Sequence, residues 1–223
     1  MQPDSEFTNM RSLLGALARV MNIISSDVER HHERAAYLAF LVAEQMGLTR
    51  DDALLAVYSG LLHDIGAVLI EKPLSVQDIE HDALAVSRAG AHMLSDLPRF
   101  ERISQVIAFC QCPWELVEKT FRGFDDEDHM RLMSIASVVH LADVASVMLN
   151  PDVPVLNQAQ AVRKAVADSA GIEFAPEACK AFLEVTEAEF VWLDVLHNPE
   201  FVLLFTGEIQ GVSLEDAAVY TRL

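Results

Sequence analysis

Residues 61–70 read "LLHDIGAVLI", an adjacent histidine and aspartate, His63-Asp64, inside an otherwise apolar run. Burying such a pair is costly unless partners satisfy both groups. The residues before it read as a helix, because Thr49 with Asp52 three positions later resembles a capping pair. That helix ends near His63-Asp64, which places the pair at a helix terminus.

Outward from this stretch, almost everything has helical spacing. Residues 9–24 carry apolar positions at helical intervals. Ser25 or Ser26 caps a second helix through "DVERHHERAAYLAFLVAEQM", which stops at Gly47. After a loop containing Lys72-Pro73, helices are predicted over 79–94 and 99–110. Beyond the polar "FRGFDDED", a long helix spans 127–149 until "NPDVP" breaks it. One helix then runs from 157 to Gly171, and Pro176 opens another reaching Leu196. Ser213-x-x-Asp216 starts a last helix that continues to Leu223. There is no strand alternation, repeat or low-complexity tract. The expected class is all-α, a bundle of about eight to ten helices.

The expected organisation is an N-terminal helix over 1–25 packed on the core, a main domain over 26–197, and a C-terminal extension over 198–223. A fresh helix at the very end reads as the start of a connection to a further domain. With 223 residues, 52% hydrophobic and 22% charged, the chain has the composition of a globular domain with a sizeable core. No continuous apolar run approaches the about 18–20 residues of a membrane helix, and "MQPDSEFTNM" lacks the regions of a signal peptide. The three cysteines, Cys110, Cys112 and Cys179, read as reduced thiols. A cytoplasmic location follows as the expectation, with no membrane partner. The net charge of −18 argues against nucleic-acid binding, which needs a basic surface.

A divalent metal in a nitrogen and oxygen site needs imidazoles and carboxylates held rigidly by the fold. The chain offers His31 within the second helix, His63 and Asp64, and Asp143 within the apolar "VVHLADVASVML". Each alone has an ordinary structural reading. A helical histidine is more often a core or surface residue, and a buried aspartate more often caps a helix or pairs with arginine. Four together favour a metal, although periodicity does not show that they converge.

"HHERAA" begins at His31, 63 − 31 = 32 residues before the histidine of "LLHDIG"; "HLADV" supplies a later aspartate, and "GIEFAPEACKAFLEV" follows from Gly171. Over roughly residues 20–195 this pattern resembles the HD superfamily of metal-dependent phosphohydrolases, in its HD-GYP-like branch. It is most similar to the N-terminal module of bacterial signalling proteins with tandem HD modules. The resemblance implies an HD-domain helical bundle in which His31, His63, Asp64 and Asp143 hold one divalent ion, with Mn, Fe, Mg, Ni and Zn not distinguished. It implies a metal-bound water that attacks phosphorus, with Asp64 as the catalytic carboxylate. It further implies a phosphorylated small molecule or nucleotide as ligand, a homodimer, and a downstream domain.

The chain departs from the HD-GYP pattern at identifiable places. Ala67 stands where a phosphate-holding lysine is expected, and Val86 where an extra histidine is expected. Cys110-Gln111 replaces a double histidine, and nothing after it resembles Gly-Tyr-Pro. These losses remove the second and third metal sites and leave at most one well-held ion. A rival arrangement uses Cys110, Cys112, His81 or His92 as substitute ligands, but Cys-x-Cys on a helix points its thiols to different sides. Asp27, one turn before His31, reads as an exposed first-turn residue. His32 is expected to point about 100° away from His31. His140, one turn before Asp143, lines the same pocket or orients that aspartate. Arg34 meets phosphate or, as the preferred reading, pairs with an acidic neighbour. His129 and His197 read as surface residues, and Trp114, Trp192 and Phe190 as core.

Two functions follow. One is a mononuclear phosphohydrolase acting on a phosphodiester or phosphomonoester of nucleotide type; a cyclic dinucleotide is the family association, disfavoured by the missing Gly-Tyr-Pro segment and second-metal ligands. The other is a catalytically silent HD-fold module for regulation, dimerisation or signal transduction.

Overall fold

The structure is a computed structural model that describes residues 30–69, 83–97, 100–123 and 125–199. Asp27, His81 and the helices expected over 9–24 and 213–223 lie outside the described residues. Among those described, the chain is all-α. The helices are α1 (His31–Gln45), α2 (Arg50–Leu62), α3 (Ala83–Ser95), α4 (Glu101–Phe109), α5 (Trp114–Phe121), α6 (Glu127–Val147), α7 (Val155–Asp168), α8 (Pro176–Val185) and α9 (Glu189–His197). A 3-10 turn over Ile65–Leu69 follows α2. No strand forms among these residues, and Ala170 and Phe174 make an isolated bridge.

α1 is the centre of the bundle. From His31 to Ala43 every residue except Leu41 is buried, so the helix is enclosed on nearly all sides. It packs mainly on α2 and α6. Close approach to α2 depends on Gly60, where an added Cβ would stand 3.0 Å from the Ala36 Cα. Small residues at the crossing let the backbones nearly touch. Gly47 at φ 71° ends α1, and the Leu48 amide donates to the Ala43 carbonyl at 3.1 Å.

The Thr49 signal behaves as expected. Its hydroxyl accepts from the Asp52 amide at 3.2 Å and donates to the Asp52 carboxylate at 2.7 Å. Arg131 Nη1 on α6 reaches the same carboxylate at 3.7 Å, which links the start of α2 to α6. The turn after α2 presses its backbone onto α3. A Cβ on Gly66 would meet the Val86 carbonyl oxygen at 2.0 Å, and one on Gly90 would meet the Gly66 nitrogen at 3.0 Å.

The helix expected from Pro176 to Leu196 is two helices. Thr186 Oγ1 donates to the Phe182 carbonyl at 2.6 Å, and Arg163 donates to the Leu183 carbonyl at 2.6 Å. These contacts close α8, and the bend lets Trp192 bury and donate to the Thr186 carbonyl at 3.0 Å. Phe190, expected in the core, is instead 61% exposed on the outer face of α9. α5 was not predicted. Its first amides, of Trp114 and Glu115, find the Glu173 and Ile172 carbonyls at 3.0 and 2.9 Å, a tertiary contact that local sequence does not announce.

Two stretches, Arg50–Leu69 and Glu127–Val147, are long and apolar enough to cross a membrane, contrary to the expectation from continuous apolar runs. Their apolar windows are 78% and 72% buried inside the bundle, so their hydrophobicity is accounted for by the core.

Candidate metal centre

Three helices deliver four ionisable side chains to one buried point. His31 opens α1, His63 and Asp64 close α2, and Asp143 lies within α6. His31 Nε2 and His63 Nε2 are 3.2 Å apart. Asp143 Oδ1 is 3.1 Å from the first and 3.3 Å from the second. Asp64 Oδ2 is 3.3 Å from His63 Nε2 and 4.0 Å from His31 Nε2. His31, His63 and Asp64 each offer a donor atom within 4.8 Å of the others. All four residues of the expected set therefore come together.

The hydrogen bonds define the tautomers. His63 Nδ1 lies 2.8 Å from the Gly60 carbonyl, which only accepts, so Nδ1 carries a proton. His31 Nδ1 lies 2.7 Å from Ser146 Oγ. The Ser146 proton is directed to the Asp143 carbonyl at 2.9 Å, so the hydroxyl accepts from His31 Nδ1–H. In their neutral forms both imidazoles then turn Nε2 lone pairs toward each other. Such a pair is repulsive unless a cation stands between them. Ligands about 2.0–2.2 Å from a shared ion stand about 3.0–3.5 Å apart, and most of the distances above fall in that window. The donor set fits a divalent ion.

Without an ion, a proton does this work. Burial opposes charge on His63, but Asp64 and Asp143 outweigh it and hold its pKa well above the ordinary imidazole value. Burial likewise opposes charge on Asp64 and Asp143, and the His63 charge overcomes it, so both carboxyls sit below the usual carboxylate range. The cluster is a mutually stabilised set of buried charges, costly if any one member is removed.

Sequence reasoning missed two neighbours. His32 does not lie apart from the site. It is fully buried, and its ring centroid is 5.1 Å from that of His31 and 5.2 Å from that of His63. Its Nε2 is 3.7 Å from Asp64 Oδ2, and burial lowers its pKa. The first turn of α1 is enclosed on nearly all sides, so His31 and His32 are both buried beside the end of α2 despite their angular separation. Gln111 is the second: its Nε2 donates to Asp143 Oδ2 at 2.8 Å. The resemblance puts Cys110-Gln111 at the position of a double histidine, but no local signal shows that the glutamine reaches Asp143.

The remaining residues fall into place around these. His140 is buried edge-on against Phe174, with Nδ1 lacking a hydrogen-bond partner among the described residues, and burial lowers its pKa. Arg34 is buried. His92 is exposed on α3, and His197 is exposed at the end of α9. His129 is partly covered by Phe121, with ring centroids 4.4 Å apart. Cys110 is fully buried beside Ser87, its Sγ 3.4 Å from Ser87 Oγ, and burial lifts its pKa to about 12. A thiol held neutral is a poor metal ligand, which disfavours the cysteine-ligand arrangement.

A family model described as "HD domain" matches residues 28–148. A curated relative, the 3'3'-cGAMP-specific phosphodiesterase 1 of Vibrio cholerae serotype O1, is 22% identical over 203 residues. That alignment covers 85% of this chain and 44% of the relative, so the chain spans less than half of that protein's length. The matched segment runs from just before His31 to just past Asp143 and so contains all four converging side chains. The chain belongs to the HD domain family, a superfamily of metal-dependent phosphohydrolases.

Proposed function

We propose that the chain is a phosphohydrolase with a single divalent ion held by His31, His63, Asp64 and Asp143, acting on a phosphodiester or phosphomonoester of a nucleotide-like substrate. The observation that carries this is the pair of imidazole Nε2 atoms 3.2 Å apart, with both Nδ1 atoms committed to other partners. When bound, the ion supplies a Lewis acid for a phosphoryl oxygen and a coordinated water of lowered pKa. Two imidazoles among the donors favour Mn, Fe, Ni or Zn over Mg, which prefers oxygen. Asp64, buried against His63 and His32, would be the catalytic carboxylate acting with the coordinated water. The relative's substrate makes a cyclic dinucleotide the first to assay. To the same reading belong a domain over 26–197, flanking segments 1–25 and 198–223, a homodimer, a downstream domain, a cytoplasmic location and a place in signal transduction.

A second reading, a silent regulatory module, is favoured by Ala67. That residue is buried at 3% exposure and brings no cation to the turn after Asp64.

Metal content after purification without chelator, then hydrolysis of a generic phosphodiester with and without Mn²⁺, separates the two. Stoichiometric metal and turnover, both lost in Asp64→Ala, is the expected result. Metal without turnover on any nucleotide supports the regulatory module, and no metal at all overturns the site.

A further inference from the structure

The two oxygens of Asp143 have different neighbours. Oδ1 faces His31 Nε2 and His63 Nε2 at 3.1 and 3.3 Å, whereas Oδ2 accepts from the Gln111 amide at 2.8 Å. A carboxylate only accepts, so it is the nitrogen of the Gln111 side chain that faces it. We propose that Gln111 is the positioning residue of Asp143, tying up Oδ2 so that the carboxylate meets the centre through Oδ1 alone. This rests on the metal-site reading above.

The backbone beneath Gln111 is fixed from both sides. The Cys110 amide donates to the Ile107 carbonyl at 3.2 Å, and the Cys112 amide to the Phe109 carbonyl at 2.9 Å. The Cys110 side chain is fully buried against Ser87, and Pro113 caps α5 immediately afterwards. The glutamine therefore extends from a rigid turn rather than a free loop. It brings a donor without adding charge, so it orients Asp143 and leaves the sum of charges in the cluster unchanged.

Two of the other three side chains have a comparable hydrogen bond, His31 with Ser146 and His63 with the Gly60 carbonyl, whereas the neighbour of Asp64, His32, stands farther off at 3.7 Å. Gln111 completes the set from the α4–α5 turn, an element that contributes no ligand itself. With one lone pair of Oδ2 engaged by the amide and the carboxylate held in this orientation, coordination through Oδ1 is favoured over closing both oxygens onto one ion or bridging to a second. That is the physical form taken here by the missing histidine pair.

The test titrates Mn²⁺ into metal-free wild type, Gln111→Met and Gln111→Asn, and records the visible absorption of each loaded with Co²⁺. The methionine keeps the volume and removes the donor; the asparagine keeps the amide and withdraws it by one methylene. Wild type is expected to take one ion. Both variants should bind it roughly 10–100-fold more weakly. Their Co²⁺ spectra should be altered as well, whatever fall in metal-free melting follows from losing the hydrogen bond to Asp143. Affinity within twofold of wild type with an identical spectrum overturns the proposal. Lowered metal-free melting with an unaltered spectrum also overturns it, because the role is then only structural. If one variant does not fold, the other decides. If wild type takes up no ion, the metal reading itself fails and Gln111 falls with it.

Discussion

Ser146 Oγ joins the His31 side chain to the backbone of α6, 2.7 Å from His31 Nδ1 and 2.9 Å from the main-chain carbonyl of Asp143. One hydroxyl thus sets the tautomer of a histidine on α1 from a position one turn after an aspartate on α6. Ser146→Ala leaves the His31 Nδ1–H buried without an acceptor. The expected outcome is a loss of about 1–3 kcal/mol in metal-free stability by denaturant unfolding. Affinity for Mn²⁺ should fall about 10–100-fold by calorimetry. Unchanged affinity would show that the hydroxyl does not orient His31.

Gly66 and Gly90 touch backbone to backbone where the turn after Asp64 meets α3. A methyl group at Gly66 would stand 2.0 Å from the Val86 carbonyl oxygen, far inside any tolerable contact. Gly66→Ala should therefore destabilise by about 2–4 kcal/mol and displace Asp64, lowering metal affinity as well. Gly47→Ala makes the comparison. It meets nothing within 4 Å and carries only the cost of a left-handed φ of 71°, about 1 kcal/mol. Equal losses for the two would refute the close approach.

His63 and the two carboxylates set opposite pH limits on the metal-free protein. The raised His63 pKa contributes stability that is fully present below the ordinary imidazole value of about 6.5 and is lost as pH rises through the folded-state value. The depressed Asp64 and Asp143 values contribute stability present above about 3.9 and lost as pH falls through their folded values. Metal-free melting should be highest between about pH 4 and 6.5. Because an ion displaces the His63 proton, Mn²⁺ affinity should rise up to tenfold per pH unit until His63 is neutral. Affinity independent of pH from 5 to 8 would exclude proton displacement.

The three thiols should differ sharply in reactivity. Burial raises Cys110 to about 12 and Cys179 to about 11, and both are almost inaccessible. Cys112 is partly exposed, and burial raises its pKa as well. At pH 8, timed alkylation read by mass spectrometry should label Cys112 first. Cys110 and Cys179 should react only as the fold opens, with Mn²⁺ slowing Cys110.

The reach of the sequence can be judged element by element. The Thr49 cap, the Gly47 stop and the long α6 are local signals, and each stands where residues alone place it. The four side chains were legible by residue type as candidate donors, but their convergence is expected only from the resemblance to the HD superfamily, because helical periodicity does not show which faces meet. The break at Thr186, the α5 helix, and the roles of His32 and Gln111 depend on contacts between distant segments. Arg163 closing α8 and the Glu173 carbonyl opening α5 have no counterpart in local pattern.

Ala67 is buried with its amide bound to the Asp64 carbonyl at 2.9 Å, so the turn after the pair ends in a methyl group rather than a cation. Around it, two carboxylates face one imidazolium, and the chain carries a net charge of −18. On the metal-site reading proposed above, an anionic ligand would meet net negative charge until a divalent ion had replaced the proton. Binding would then be ordered, cation first and phosphate second, so the metal-free protein would be closed to a phosphate ester.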